Sequence, residues 1–141
     1  MQKESTGFLI DTNVFIAAVK KGWTKTTELV LHLLSNPEFV LVANDVLLAE
    51  YERYAKAFDA ENFLEFMRLR VTIINPSDDE IRMCRQYFPE SEVADAVHAA
   101  TCLKTNAVLI TDDKHFDLIR KAGLIEVWNT SEATRNLLKN I

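Results

Sequence analysis

The segment VADAVHAATCLKTNAVLITDDKHF, residues 93–116, places a helix directly before a short apolar strand and carries acidic side chains at both ends. Apolar residues recur at helical spacing up to residue 105, and AVLI at 107–110 is a continuous apolar run. Asp95 lies near the start of the helix, and Asp112 and Asp113 follow the strand. A continuous apolar strand preceded by a helix is typical of a parallel sheet that is buried on both faces. Carboxylates at both edges of such a core therefore need an explanation.

The rest of the chain repeats this alternation of helices and short apolar strands. The other predicted strands are GFLI (7–10), FVLVA (39–43), VTII (71–74) and IEVW (125–128). Apolar spacing and capping residues predict helices over residues 14–21, 24–36, 45–58, 60–70, 77–88, 91–105, 113–122 and 130–141. The sequence thus predicts the α/β class, as a three-layer α/β/α fold with a five-stranded parallel sheet.

Length and composition limit the broad class of protein. A chain of 141 residues that is 48% hydrophobic is long enough for one core, so we expect a single domain over residues 1–141. Apolar runs are too short for a membrane span, and the first residues are too polar for a signal peptide, which favours a cytoplasmic location. Cys84 and Cys102 lie in apolar helical patterns without metal-ligand spacing, which indicates buried, reduced thiols.

The charge balance restricts how the chain can bind a polyanion. Acidic side chains outnumber basic ones by 21 to 16, which gives a net charge of −5. This sign is wrong for a protein that binds nucleic acid over its whole surface. Any nucleic acid must therefore bind locally or through a metal ion.

Acidic residues follow two of the predicted strands at the point where each strand ends. Asp11 comes after GFLI, and Asp112 and Asp113 come after AVLIT. Ligands of open parallel sheets bind outside the carboxyl ends of the strands, where the strand order reverses. If the first and fourth strands are neighbours there, these carboxylates converge on one pocket. Glu50, after the second strand, and Asp95 are placed to lean over the same edge.

Such a cluster has two interpretations. Two carboxylates about 4 Å apart repel by roughly 4 kcal/mol at an effective dielectric near 20, and a divalent cation relieves that repulsion. Oxygen ligands suit Mg²⁺ or Mn²⁺. Alternatively, Asp11 caps the helix that follows it, and Asp112 or Asp113 caps the helix at Lys114. Capping does not account for Asp95, which lies inside its helix, or for Glu50, which lies among apolar residues.

Four segments together resemble a known family, the PIN-domain ribonucleases, which include the VapC-type toxins of toxin–antitoxin pairs. They are FLIDTNVFI (8–16), DVLLAEY (45–51), ADAVHAAT (94–101) and VLITDDKHF (108–116), in that order and at those separations. The resemblance covers about residues 7–128. It implies a five-stranded parallel sheet, a cluster of acids that binds Mg²⁺ or Mn²⁺, and metal-dependent hydrolysis of RNA.

The resemblance also assigns roles to individual residues. It implies that the catalytic and metal-binding acids are Asp11, Glu50, Asp95 and Asp113. A Thr-x-Asp pattern of the family selects Asp113 as the fourth acid, and its neighbour Asp112 remains an alternative metal ligand. Asn13 and Thr111 match positions that orient the acids or their waters.

The resemblance further implies an RNA substrate, a homodimer and an antitoxin protein that covers the site. The exposed faces of the helices at 25–35 and 46–69 are the places where we expect that antitoxin to bind. Candidates for contacting RNA are Lys20, Lys21, Lys25, Arg53 and Lys114, although no alternation of aromatic and basic residues marks a binding face.

The three histidines have separate interpretations. His98 follows Asp95 by one helical turn and is expected to be a hydrogen-bonded helix residue packed near the site, with metal contact as the alternative. His115 is a candidate for contacting substrate phosphate. His32 is expected to be an ordinary residue of its helix.

Two other functional classes fit parts of the pattern. A response-regulator receiver also clusters acids at strand ends, but it needs an acidic pair near the first strand, where FLIDTN offers one acid. A PIN-like module that binds RNA or a partner protein without cutting is the more serious alternative. Such a module has no reason to keep four mutually repelling carboxylates, which favours the enzyme.

Overall fold

The computed structural model describes residues 6–138 of the chain. Within them the strands are β1 (Thr6–Ile10), β2 (Phe39–Ala43), β3 (Val71–Ile73), β4 (Val108–Ile110) and β5 (Val127–Trp128). These strands form one sheet in the order β3-β2-β1-β4-β5. Every strand pair is parallel. The predicted α/β class and five-stranded parallel sheet are confirmed.

Helices connect consecutive strands, as a parallel sheet requires. They are α1 (Thr12–Val19), α2 (Lys25–Ser35), α3 (Asp45–Ala57), α4 (Glu61–Arg68), α5 (Asp78–Arg85), α6 (Val93–Thr105), α7 (Asp117–Ala122) and α8 (Thr130–Leu138). A short 3-10 helix, Lys114–Phe116, precedes α7.

The helices cover both faces of the sheet. The chain steps from β1 through β2 to β3 in one direction, and then crosses back to β4 on the other side of β1. Because parallel crossovers are right-handed, connections that run in opposite directions place their helices on opposite faces. In agreement, α2 packs on β2, and α6 packs on β1, β2 and β4. The strand order therefore reverses between β1 and β4, which is the position where such folds bind ligands.

The central strands and α6 form a tightly packed base beneath that position. Leu9, Ile10, Leu109 and Ile110 are at most 1% exposed. The alanine-rich α6 buries small side chains against the sheet, which brings its backbone close to β1. Residues at the carboxyl ends of β1 and β4 are therefore held by a rigid core.

Several element boundaries differ from those predicted. Helix α1 begins at residue 12 instead of 14, because the side chain of Asp11 caps it. The predicted helix over 113–122 is divided into the 3-10 helix and α7, since Asp113 caps the first part. The predicted strand at 125–128 is only Val127–Trp128. The end of the predicted last helix, residues 139–141, lies outside the described residues.

The cysteines behave as expected. Cys84 and Cys102 are free and buried. Burial raises the pKa of both thiols, to about 11 for Cys84, which keeps them protonated at neutral pH.

None of the helices in residues 6–138 has the length and apolar character needed to cross a membrane.

Candidate active site

A cavity of about 180 Å³ opens at the carboxyl edge of the sheet, where the strand order reverses. The four acids assigned from the sequence, Asp11, Glu50, Asp95 and Asp113, all line it. The remaining lining residues are Thr12, Asn13, Arg53 and Tyr54. The fold thus brings four carboxylates from distant parts of the chain into one small space.

Asp11 is the most buried of the four acids, at 4% exposure. Its Oδ1 accepts a hydrogen bond from the backbone N–H of Thr12 at 2.9 Å, which caps α1. Its Oδ2 accepts bonds from the Asn13 amide and the Thr111 hydroxyl, both at 2.7 Å. Burial raises the pKa of Asp11, and the bond from Thr111 opposes that rise. The carboxylate is therefore held in one orientation by three donors.

Asn13 and Thr111 also connect β1 to the loop after β4. The Asn13 amide nitrogen donates to the Thr111 hydroxyl at 3.1 Å, and its carbonyl oxygen accepts from the backbone N–H of Asp112 at 3.1 Å. The Thr111 hydroxyl further accepts the backbone N–H of Asp113 at 3.0 Å. These bonds fix the position of the fourth acid relative to the first.

Glu50 lies on α3 and is held from two sides. Its Oε1 accepts hydrogen bonds from the Thr12 hydroxyl and from Nε2 of His98, the latter at 3.2 Å. Burial raises the pKa of Glu50, but the bonds from His98 and Thr12 outweigh it, and the net pKa is lowered. Glu50 is thus held as a carboxylate anion.

The hydrogen-bond network fixes the tautomer of His98, which is 1% exposed. Asn44 caps α3 by accepting the backbone N–H of Leu47 at 2.7 Å, so its amide nitrogen must face inward. That nitrogen donates to Nδ1 of His98 at 3.1 Å and to the Thr101 hydroxyl at 3.0 Å. Nδ1 is therefore an acceptor, and the imidazole proton is on Nε2, facing Glu50. The expectation that His98 is a hydrogen-bonded residue near the site is met.

Asp95 lies in the first turn of α6 and points into the cavity. Burial, together with the negative charges of Asp11 and Asp113, raises its pKa to about 6. A carboxyl group with a pKa in this range is short of positive charge around it. The environment of Asp95 therefore favours either a proton or a cation.

The structure separates the two consecutive acids after β4. Asp113 lines the cavity, and its Oδ1 caps the 3-10 helix by accepting the backbone N–H of His115 at 2.9 Å. The carboxylate of Asp112 instead accepts the backbone N–H and the hydroxyl of Thr130, each at 2.9 Å. Asp112, predicted as an alternative metal ligand, is turned toward α8 and does not line the acidic cavity.

Two further groups lie at the rim of the cavity. Nδ1 of His115 is 3.2 Å from Asp95 Oδ2, 3.4 Å from Asp113 Oδ1 and 3.8 Å from Glu92 Oε1. The negative charge of Asp113 is the main cause of a raised pKa at His115. Glu92, Asp95 and His115 each place a ligand atom within 4.8 Å of the others. Among the other histidines, His32 packs edge to face on Phe39.

The donor set fits a divalent cation. Four carboxylates line the cavity and face one guanidinium, that of Arg53, so three negative charges are in excess when all are ionised. All of these donors are oxygens, which suit Mg²⁺ and Mn²⁺. The imidazole of His115 at the rim adds a nitrogen donor, which Mn²⁺ accepts more readily than Mg²⁺. The cluster therefore has the composition and charge of a site for a hard divalent ion.

Comparison with models of protein families matches residues 8–122 to the family described as PIN domain. The chain belongs to the PIN-domain family. The match includes all four acids of the cavity, the strands β2, β3 and β4, and β1 from residue 8 onward. PIN nucleases usually use divalent metals.

Solved structures share the fold of this PIN domain at low sequence identity. A chain of VapBC2 from Rickettsia felis, bound to a DNA fragment from its promoter, is 18% identical with a TM-score of 0.63, and the match covers 88% of this chain and 98% of that one. A chain of VapBC-1 from nontypeable Haemophilus influenzae is 24% identical with a TM-score of 0.60, and the match covers 89% and 99%. A chain of FitAB bound to the IR36 DNA fragment is 17% identical with a TM-score of 0.56, and the match covers 86% and 94%. A search of curated proteins found no match.

Sequence reasoning missed three residues of this PIN domain that surround the acids. Thr12 holds Glu50, Asn44 orients His98, and Glu92 lies beside His115. A signal for Glu92 was present, because it precedes Asp95 by three residues, which places both on one side of a helix start. The roles of Thr12 and Asn44 depend on contacts between helices that are distant in the sequence.

Proposed function

We propose that this PIN domain is a metal-dependent endoribonuclease that hydrolyses RNA phosphodiester bonds, and that it is a VapC-like toxin. The observation that carries the proposal is the convergence of Asp11, Glu50, Asp95 and Asp113 on one cavity with a single guanidinium. We assign the catalytic and metal-binding roles to these four acids and the resident ion to Mg²⁺ or Mn²⁺. The likeness to chains of VapBC and FitAB complexes supports the toxin–antitoxin context.

The residues of the cavity differ in what they would contribute to this reaction. A divalent ion bound among the carboxylates supplies an activated water and neutralises charge that develops on the phosphate. Neighbouring hydrogen-bond donors fix the orientation of the Asp11 and Glu50 carboxylates, so they would provide fixed ligands. Asp95, whose pKa of about 6 leaves it mostly ionised at neutral pH, would supply a further carboxylate ligand to the cation. Arg53, at the cavity wall, is placed to contact a substrate phosphate.

The protein partner fits the exposed surface of α3 and α4. Val46, Phe58, Phe66 and Leu69 on these helices and their ends are between 36% and 81% exposed. We propose this apolar surface, which begins beside Glu50, as the place where an antitoxin binds and covers the site. The exposed positions of α2, in contrast, are Lys25, Glu28 and Ser35, which makes that helix the poorer candidate.

Three further properties follow from the same family assignment. We propose that the chain is one PIN domain, that it forms a homodimer, and that it acts in the cytoplasm, where its two free cysteines stay reduced. Light scattering on the isolated protein tests the homodimer.

The test of the nuclease is cleavage of single-stranded RNA of mixed sequence with Mg²⁺ or Mn²⁺, and its arrest by EDTA. Asp11→Asn and Asp95→Asn are expected to lower the rate by at least a hundredfold, because each removes a ligand charge. Glu61→Gln, an exposed residue of α4 outside the cavity, is the matched control. Cleavage that continues in excess EDTA contradicts the metal mechanism. RNA that is bound but not cut points instead to the non-catalytic binding module.

A further inference from the structure

The segment KKGWTK, residues 20–25, comprises the loop between α1 and α2 together with Lys25, the first residue of α2, and it presents its tryptophan to solvent. Trp23 is 71% exposed, whereas the other tryptophan, Trp128, packs against Phe8. Lys20, Lys21 and Lys25 are exposed around it. No hydrogen bond, ion pair or ring contact engages these four side chains within residues 6–138. The indole of Trp23 is therefore accessible from solvent.

The loop is held on a defined base. Thr24 and Thr27 form a capping box at the start of α2. The Thr27 hydroxyl also donates to the backbone carbonyl of Ala18 at 2.7 Å, which ties α2 to the end of α1. Gly22 has a positive φ of 61°, which allows the tight turn that precedes Trp23. The indole is therefore carried by a short, anchored turn.

The same loop lies at the edge of the sheet that carries the acids. Residues from the starts of α2 and α8 line one shallow depression: Lys25, Thr26, Thr130, Ser131, Thr134 and Arg135. Thr130 is hydrogen-bonded to Asp112, the chain neighbour of Asp113. Helix α1, about 12 Å long at 1.5 Å per residue, joins Asp11 to the loop. A single strand that crosses this distance needs only a few nucleotides.

The local charge selects the kind of ligand. Residues 20–27 carry three lysines and no acid, in a chain whose net charge is −5. Arg135 and the positive N-terminal ends of α2 and α8 adjoin them. The nearby carboxylate of Asp112 is already bound by Thr130. Indole faces stack on unpaired bases, and lysines bind phosphates, which is the combination that single-stranded nucleic acids require. A protein helix would need a wider apolar surface than one indole.

We propose that the loop at residues 20–25 is a docking platform for single-stranded RNA, with a base stacked on Trp23 and phosphates bound by Lys20, Lys21 and Lys25. That the nucleic acid is RNA rests on the proposed nuclease function. Lysines of this loop were predicted from the sequence to contact RNA, but no aromatic partner was predicted. The proposal adds Trp23, which is exposed among these lysines, as that partner.

Binding is measured in EDTA, so that hydrolysis does not interfere. The probe is a 5′-fluorescein single-stranded RNA of mixed sequence and about 12 nucleotides, followed by fluorescence anisotropy. Trp23→Ala is expected to raise Kd about tenfold, whereas Trp23→Phe keeps a stacking ring and stays within about threefold of wild type. The triple variant K20A/K21A/K25A is expected to reduce the slope of log K against log salt by about two. The control K56A/K121A removes exposed lysines of α3 and α7 and leaves binding of the probe unchanged.

The outcomes separate this proposal from the proposed nuclease. If Trp23→Ala binds the probe as tightly as wild type, or if wild type does not bind it at low salt, the platform is wrong, whatever the protein cleaves. If Trp23→Ala weakens binding but Mn²⁺ produces no cleavage, the platform stands and the nuclease does not. The platform is also wrong if Trp23→Ala weakens binding of a duplex of the same sequence as much as binding of the single strand, because paired bases cannot stack on the indole. If Trp23→Ala loses binding of a protein partner and binds RNA as wild type does, the loop is assigned to that partner and the platform is wrong.

Discussion

Two carboxylates at the sheet edge both cap a helix and line the acidic cavity, although the sequence presented these roles as alternatives. Asp11 caps α1 and Asp113 caps the 3-10 helix, and both line the acidic cavity. A helix N-terminus stabilises a negative charge, so a cap is a favourable place for an anionic ligand. Helix capping and a shared cavity are therefore properties of the same side chains in this PIN domain.

The raised pKa of Asp95 makes a prediction about stability and pH. Burial raises this pKa from 3.8 to about 6, so the folded state holds the proton more tightly than the unfolded state. The contribution of Asp95 to the free energy of unfolding should thus fall as pH rises from about 4 to 6, and stay lower above 6. In EDTA at pH 7, we expect Asp95→Asn to be more stable than wild type by about 1 kcal/mol, after allowance for screening in an open cavity.

Urea unfolding at pH 4 and pH 7 measures that difference. It should shrink toward pH 4, where Asp95 is protonated in the folded state and partly protonated in the unfolded state. Glu61→Gln, which removes one exposed negative charge from α4, should show no such trend. A variant that is less stable than wild type by the same amount at both pH values would mean that Asp95 serves the fold through its hydrogen bonds.

Asn44 allows a test of how the Glu50 carboxylate is oriented. Asn44→Asp can still cap α3 through one oxygen, but its second oxygen faces Nδ1 of His98 and demands a proton there. The imidazole is then expected to be protonated on both nitrogens, so that Glu50 accepts from a charged ring instead of a neutral one. We expect about a tenfold lower rate of RNA hydrolysis, which is the usual effect of disturbing the support of a metal ligand.

Long-range ¹H–¹⁵N spectra of the imidazole provide the direct readout. Wild type should show the pattern of a neutral ring protonated at Nε2, and Asn44→Asp should show a proton at Nδ1. Asn44→Ser keeps a capping hydroxyl and serves as the control for stability of α3. If wild-type His98 carries its proton at Nδ1, the assigned orientation of Asn44 is wrong.

At the scale of elements, Asp112 joins the end of β4 to the start of α8. Its carboxylate accepts hydrogen bonds from the backbone N–H and the hydroxyl of Thr130, the first residue of α8. It thus satisfies a free N–H at the start of that helix, as an N-cap side chain does. Asp112→Ala should lower the free energy of unfolding by about 1 kcal/mol, both with and without Mn²⁺. Asp113→Asn should instead remove much of the stabilisation by Mn²⁺. Thermal melts of both variants with and without the metal decide which of the two acids is a ligand.

The number and kinds of elements were predictable because strands and helices have different apolar periodicities. Boundaries failed where a side chain ends or begins a helix, as at Asp11 and Asp113. The division of 113–122 into two helical pieces follows from Asp113 capping the first turn. Local pattern identifies a helical region, whereas the end depends on which hydrogen bond the tertiary structure offers.

For the whole molecule, the acids were predictable because parallel strands bring their carboxyl ends to one edge. Any side chain that follows β1 or β4 is therefore near the others, whatever the sequence between them. The orientation of a side chain is not set by this rule, and Asp112 turns away from the cavity. The exposure of Trp23 could not be predicted from the sequence either, since tryptophan side chains are usually packed in the fold.

Metal binding should stabilise the whole fold, and this prediction needs no knowledge of the substrate. A ligand that binds only the native state adds RT ln(1 + [L]/Kd) to the free energy of unfolding, which is about 2.7 kcal/mol at a hundredfold excess over Kd. For a chain of 141 residues, we expect several degrees of increase in Tm with millimolar Mn²⁺. Asp95→Asn should melt higher than wild type in EDTA but gain much less from Mn²⁺, so that the order of the two proteins reverses. Asp112→Ala, whose side chain faces α8, should gain as much as wild type. If Mn²⁺ leaves the melting temperatures of all three proteins unchanged, the four carboxylates serve as caps and hydrogen-bond acceptors. The nuclease proposal would then be abandoned.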